Sequence, residues 1–472
     1  MAGDNVGDTR TDSLMEPPAL DGGLPLLGHT LAFAKDPVAL LLDGHRRLGE
    51  VFVVRIAGRR FTVLSGPAAT DAVFRTSDET VGRRRAYRSM TPVFGEGMLF
   101  DASPADFDEQ IALILPALRG GAVEGYAPVM QREVEDYLSG WGPTGRVDLV
   151  EAMSELSVNI AVECLIGAEF RRRVGPDLVR LFRDLKSAGR ASWLVHPHLP
   201  LPAFRRRDRA RSELIELILD AARSIQRDGP EAGRFVSTLM SSRFRDGTAV
   251  PEEVAASLLL AIIVAGEHNT AALASWTGAL LLRNPEWLAA VLREQEELSG
   301  DADGPRAVHQ DLRRMDVLRR CMIEAERLHP PTTVLLRDAE QEFSYGSYRI
   351  ARGSRVMVSP TASHRLPEVF TEPERYDPDR FSAERAEHRG TPQPMLAFGG
   401  GRHRCTGMAF AYQEIQIIWS CLLRGYELEL VGDTPRPDYS AVTAVPRSPC
   451  WVRYSRRGGP QDDGGAARCA TT

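Results

Sequence analysis

Residues 398–407 read FGGGRHRCTG, a single cysteine behind three glycines and two arginines and just ahead of an apolar helical run. A glycine-rich segment lets the backbone adopt positive φ and approach a flat object closely, and it can aim several N–H groups inward as an anion nest. With Arg402, Arg404 and the positive end of a helix starting near Thr406, such a nest stabilises a thiolate. A thiolate held this way at Cys405 is a metal ligand or a nucleophile; the plainer alternative is a buried structural cysteine beside a chance run of glycines. A disulfide does not fit. The six cysteines (Cys164, Cys321, Cys405, Cys421, Cys450, Cys469) lie far apart without CxxC pairs, the usage of a reducing compartment.

A second stretch with chemistry in it lies inside the most apolar part of the chain. AASLLLAIIVAG (255–266) is followed at once by polar residues, GEHNT over 266–270. Twelve apolar residues are too few to span a bilayer and suit a helix buried on all sides. Pro251, Glu252 and Glu253 suit its first turn and Asn284-Pro285 its end, so the helix runs about 50 Å. Polar groups halfway along it need something to satisfy them. A third stretch, EAERLHPP, places Glu324 and Arg327 three residues apart on one helix face, where they can pair and reach a partner.

The elements that carry these stretches can be read from pattern. Helical periodicity covers about 37–49, and EVFVVRIAGRRFTVLSGP (50–67) alternates around an Ala-Gly turn as a hairpin. From about 108 to 300 the pattern is helical, with breaks at 140–145, 196–202 and 246–251, and a second β region follows Pro330-Pro331. Strands flanking a helical body predict a mainly α, α+β arrangement. With no repeat or linker to divide it, 17–454 reads as one large domain, 1–16 as a mobile start and 455–472 as a disordered tail.

Composition closes other doors. A formal charge of -6, a pI near 6.0 and 7% aromatic residues give no footprint for nucleic acid. Lysine occurs only at Lys35 and Lys186, and neither follows a glycine, so no Gly-Lys-Ser/Thr phosphate loop exists. The arginine bias suggests a GC-rich bacterial genome. The first twenty residues carry acids and no apolar core, which predicts neither signal peptide nor membrane anchor, hence a cytoplasmic protein.

Phe398, Gly401, Cys405 and Gly407 match F-x-x-G-x-x-x-C-x-G, and in this the chain resembles the cytochrome P450 superfamily. EAERLHPP, YDPDRF (376–381) and AGEHN (265–269) fall where that family has its Glu-x-x-Arg helix, its later arginine and its distal A-G-x-x-T. Within the superfamily the chain is most similar to bacterial sterol 14α-demethylases, through AYRSMTPVFGEGMLFDASP (86–104), AFRRRDRAR (203–211), AGEHNTAALASW (265–276) and SCLLRGYELEL (420–430).

The resemblance implies the P450 fold, a haem b cofactor, and Cys405 as axial thiolate, with Phe398, Gly399, Gly401 and Gly407 shaping its loop. It implies Tyr87, Arg337 and His403 as propionate contacts, Ala265 and Gly266 against the haem face, and Glu324, Arg327 and Arg380 as a buried structural cluster. Two departures stand out. Asp108 lies where the demethylases are basic, and the distal threonine is replaced by Asn269, with Thr270 one place later. His268, Asn269, Thr270 and Glu267 are therefore the distal candidates for proton handling, although one residue turns a helix by about 100° and Glu267 need not face the haem.

The expected activity is O2-dependent oxidation of a hydrophobic small molecule in bacterial specialised metabolism, with electrons from an external ferredoxin and ferredoxin reductase. The alternative is O2-independent rearrangement, dehydration or group transfer using the substrate's own N–O or O–O bond. The departures argue against sterol demethylation itself.

Overall fold

In the computed structural model, residues 14–187, 197–228, 234–300, 308–440 and 443–457 are described. Cys469, most of the 1–16 start and most of the 455–472 tail lie outside them. Helix α1 (Pro37–Leu48) opens on Pro37, and the Asp36 side chain accepts the Ala39 N–H at 2.9 Å, an N-cap of the expected kind. The hairpin β1 (Val51–Ile56) and β2 (Arg59–Leu64) turns through Ala57 (φ 49°) and Gly58 (φ 73°). Two successive left-handed residues match the twist of the strands.

Helix α2 (Pro67–Arg75) and the short strand β3 (Val81–Gly82) follow, then α3 (Pro104–Ile114), whose N-cap is Ser103, and α4 (Gly121–Ser139). Strand β4 (Thr144–Asp148) comes next, in a region where the sequence pattern suggested only a break between helices. It then gives way to α5 (Leu149–Leu165), α6 (Pro176–Leu185) and α7 (Pro202–Asp228). The central helix α8 (Glu252–Arg283) has 32 residues, about 48 Å. It is long and apolar enough to cross a bilayer, but it is the core element here, and 67% of its apolar window is buried in the protein.

Helix α9 (Asp316–Leu328), strands β5 (Leu335–Ala339) and β6 (Arg355–Val358), helix α10 (Met408–Gly425) and strands β7 (Tyr426–Leu430) and β8 (Trp451–Arg456) complete the frame. One sheet runs β1-β2-β6-β5-β3, with β2 parallel to β6 (Phe61 opposite Arg355) and β5 antiparallel to β6 (Leu335 opposite Val358). A second runs β4-β8-β7.

Backbone pairing reaches into both chain-end segments. Met15 donates its N–H to the Ser347 carbonyl at 2.9 Å and accepts from Arg349, so residues 14–16 are fixed to the body. Ser455 and Arg456 belong to β8, and the Arg457 N–H reaches the Gly425 carbonyl at 2.9 Å. In both places backbone pairing holds residues whose side chains are half-buried or exposed, a contribution that composition does not report.

The core gathers around α8, which packs on α5, α9 and α10. At Gly278 a β-carbon would lie 1.8 Å from Trp419 Cζ2, and Trp419 donates its indole N–H to the Ala274 carbonyl at 2.9 Å. A small residue on α8 and a large one on α10 thus set how closely the two helices approach. Because α10 continues directly from the cysteine loop, that contact fixes the loop relative to the middle of α8.

Candidate functional site

The cysteine loop is held from both ends. Cys405 N–H donates to the Phe398 carbonyl at 2.8 Å, and Gly399 N–H to the Leu396 carbonyl at 2.8 Å. Gly399 (φ 68°) and Gly401 (φ 57°) take the left-handed conformations that favour glycine. A β-carbon on Gly401 would sit 2.2 Å from the Phe74 carbonyl oxygen, and one on Gly400 2.6 Å from the Phe74 ring. These glycines therefore allow close packing against α2, not only the approach of a flat ligand. Gly407 caps α10, and Phe398 meets Tyr412 edge-on at 5.3 Å.

Cys405 is exposed, yet protein surrounds it closely enough that burial pushes its thiol up, against the lowering effect of the Gly407 and Met408 amide donors. Such a sulfur opens into an internal space, already furnished with N–H groups that would favour a thiolate once a metal removes the proton.

Below the loop, Glu324, Arg327 and Arg380 have no exposed side-chain surface at all. Arg327 grips Glu324 in bidentate fashion (2.7 and 2.8 Å), and Arg380 Nε reaches the same carboxylate at 3.1 Å. The remaining guanidinium hydrogens go to the carbonyls of His364, Thr371, Glu372 and Arg375 and to Glu387.

Sequence reasoning missed His364, which carries this cluster to the loop. Leu396 N–H donates to His364 Nε2 at 2.7 Å, so the ring is neutral and Nδ1 is the donor to the Arg327 carbonyl at 3.1 Å. Burial, then the Arg327 charge, push this imidazole down to about 3.

On the far side, α8 presents an open face at Gly266 and Asn269, with Ile262 and Ala265 half-buried beside them. A β-carbon on Gly266 would meet nothing within 4 Å. The Asn269 amide is oriented by its partners. Nδ2 donates to the Ala265 carbonyl at 3.0 Å, and a carbonyl can only accept. Oδ1 therefore faces Thr443, whose hydroxyl donates to it at 3.2 Å. Thr443 comes from near the C-terminal end, next to Thr332, and sequence reading did not single it out.

Glu267 does not join this face. Its carboxylate is 1% exposed and lies against α5 and the end of α6, where Lys186 Nζ (2.8 and 2.9 Å) and Ser154 Oγ (2.7 Å) bind it. The helical turn of about 100° per residue rotates it away, so the structure places it apart from Asn269 as an ion-paired carboxylate. Thr270 is buried at 4% exposure. His268 is half-buried, and burial holds its imidazole below the ordinary value despite the opposing charge of Glu267.

Tyr87, Arg337 and His403 form a further group. Leu336 N–H donates to Tyr87 Oη at 3.2 Å, and Arg337 is 6% exposed. His403 Nε2 bonds Asp78 at 2.5 Å while its Nδ1 is buried without a hydrogen-bond partner. Burial alone would raise Asp78, but His403, Arg402 and Arg83 outweigh it and hold the carboxyl below its usual range. Asp108 pairs with Arg402 at 2.8 Å. An accessible sulfur, an open glycine face and an orphaned imidazole nitrogen beside buried arginines are the donor set that a planar, carboxylate-bearing iron chelate needs. The residues fit haem.

Comparison with known proteins agrees. The family model described as Cytochrome P450 matches residues 17–450. The chain is 38% identical to a sterol 14-demethylase of Arabidopsis thaliana, across 93% of this chain and 91% of that one. It is 35% identical to a sterol 14alpha-demethylase of Mycolicibacterium vanbaalenii, across 94% and 99%. Among solved structures, retinoic acid bound cyanobacterial CYP120A1 superposes with a TM-score of 0.83 at 22% identity, covering 94% of this chain and all of that one, a likeness of fold. The chain belongs to the cytochrome P450 family, and it is a haem b oxidoreductase.

Proposed function

We propose that this enzyme oxidises a hydrophobic small molecule with O2, Cys405 being the thiolate that would hold the haem iron. Haem bound there supplies O2 activation and oxygen insertion. The observation that carries the reading is the pairing of an accessible Cys405 sulfur with an open, largely apolar face on α8. Thr332, paired with Thr443, and Thr333, Val334 and Leu335 are half-buried and would offer an apolar body a few hydroxyl contacts. Phe398 and the left-handed glycines hold the sulfur, Tyr87, Arg337 and His403 would hold the propionates, and Glu324, Arg327 and Arg380 keep the region beneath rigid. Asn269 keeps one amide hydrogen for the space it faces after donating to Ala265. It orients a water or a substrate oxygen there but relays a proton less readily than a hydroxyl.

Electrons come from a separate ferredoxin and reductase, which Arg402 and Arg404 at the cysteine loop would suit electrostatically. The substrate class we favour is a terpenoid, polyketide or prenylated aromatic of bacterial specialised metabolism. The curated relatives are named for sterols, but this chain differs from that pattern at Asn269 and Asp108.

Reconstitution with ferredoxin, reductase and NADPH under isotopically labelled O2 tests the activity: label enters the product. Equal product without O2 or reductant would overturn oxygen insertion and favour the second reading, rearrangement or group transfer, which Asn269 specifically supports because such chemistry needs no distal hydroxyl. A colourless protein, or a ferrous carbonyl adduct lacking the strongly red-shifted Soret band, would remove the thiolate assignment itself.

A further inference from the structure

The geometry points to Arg83, on the segment between β3 and Tyr87, as the cation that holds a haem propionate in place of the basic residue missing from α3. This rests on the haem-binding reading above and adds a cofactor-positioning residue to it.

Arg83, Arg84 and Arg85 are consecutive but do not behave alike. Arg84 is exposed and turns to Asp101 (3.5 Å), and Arg85 is exposed and turns to Glu340 (3.2 Å). Arg83 turns inward instead. Its Nη2 donates to the Leu99 carbonyl at 2.9 Å, and its guanidinium lies 4.0 Å from the Phe107 ring centre and 5.4 Å from that of Phe100. Burial, and next the charge of Arg337, push it down to about 10.

Two arginines facing one another in a half-buried space need an anion between them. The carboxylates at hand are already engaged: Asp78, whose charge reaches Arg83, is bound by His403 and Arg402, and Asp108 binds Arg402. Asp338, next to Arg337 on β5, has its electrostatic partners in Arg355 and Arg85, as strand alternation requires. An independent observation marks the same spot, the buried and unpartnered Nδ1 of His403, whose ring lies tilted at 5.0 Å from the Phe107 that Arg83 covers. The group that satisfies both guanidinium groups is an anion outside the protein chain, and the propionates of haem are the carboxylates this fold brings there.

Phe107 also explains the geometry. Helix α3 offers Phe107 and Asp108 where a cation is expected, so it provides an aromatic shelf for a guanidinium reaching in from the preceding loop.

The test is haem transfer from the holoprotein to excess apomyoglobin, with the haem reduction potential as a second readout. Arg83→Gln should release haem about tenfold to a hundredfold faster, the size expected of one lost charge-assisted hydrogen bond, while the exposed control Arg84→Gln matches the wild type. Adding Phe107→Arg to Arg83→Gln should slow release again, because the new guanidinium starts from the shelf that Arg83 occupied. Where Arg83→Gln yields no holoprotein, Arg83→Lys should still release haem several-fold faster, having lost the planar fork.

Transfer and potential unchanged in Arg83→Gln, or in Arg83→Lys where only that variant folds, would overturn the assignment. In that event a wild type that keeps its red-shifted carbonyl band leaves the haem-thiolate reading standing.

Discussion

The two sides of the internal space are built on opposite rules. Beneath the cysteine loop, charges with no solvent exposure meet full sets of partners: Glu324 receives two guanidinium groups and the Asp377 N–H, and His364 uses both ring nitrogens. Across the space, α8 keeps Gly266 and Asn269 open, and its one buried charge, Glu267, is turned outward to Lys186. The first side is a closed network in which every group specifies its neighbour; the second leaves polar capacity facing a ligand. Variation is therefore tolerated on the distal side, where an asparagine can replace a hydroxyl, and not on the proximal one.

The largest break in that contrast comes from the proximal network. Arg327→Leu leaves Glu324 buried beside a single remaining guanidinium, which should cost about 3–5 kcal/mol. Expression of the variant should yield little holoprotein and a urea midpoint far below the wild type; a near-normal midpoint would show that the cluster is not the rigid floor of the site.

Acid should reach the same network through His364. Above the unfolded imidazole pKa both states are neutral. As pH falls below about 6.5, the unfolded chain takes up a proton that the folded ring resists until about 3, so stability drops by about 1.4 kcal/mol per pH unit from this group. Between pH 7 and 5 the wild type should lose about 2 kcal/mol more than His364→Gln does in the same comparison of urea midpoints. Parallel losses would remove His364 as the acid-sensitive link to Leu396.

A smaller effect is expected where the distal helix is tied down from behind. Lys186→Met strands the Glu267 carboxylate, at about 1–3 kcal/mol given that Lys186 is 29% exposed. Adding Glu267→Gln should return most of it, a coupling read from a double-mutant cycle of thermal unfolding. Additive losses would mean that the pair contributes little.

The contrast also explains what sequence could tell. Cys405, the glycines around it and Glu324–Arg327 are legible because short local spacing carries them and because buried charge leaves few alternatives to a partner. The hairpin at Ala57-Gly58 and the length of α8 follow from local turn chemistry and periodicity. Illegible were contacts that span the chain: Thr443 reaches Asn269 across 174 positions, and His364 reaches Leu396 across 32. Strand β4 was hidden for the same reason, since its partner β8 lies some three hundred residues away and its own side chains alternate only weakly. Arg83 was indistinguishable from Arg84 and Arg85 until direction, which a list of residue types does not contain, separated them.

The finest test of the distal side is Thr443→Val, which keeps the shape of the side chain and removes one hydroxyl. That hydroxyl donates to Asn269 Oδ1, and without it the amide is anchored only through Nδ2 to the Ala265 carbonyl. Stability should fall by only about 0.5–1.5 kcal/mol, one hydrogen bond's net worth. The informative change is in coupling: NADPH should be consumed with less product and more peroxide, because an amide held at one end only positions its second N–H less firmly toward the space it faces. Thr443→Ser, which retains the donor, should behave as the wild type. If valine and serine variants couple electrons to product equally well, the orientation of Asn269 has no part in turnover, and the open face of α8 is merely room for the substrate.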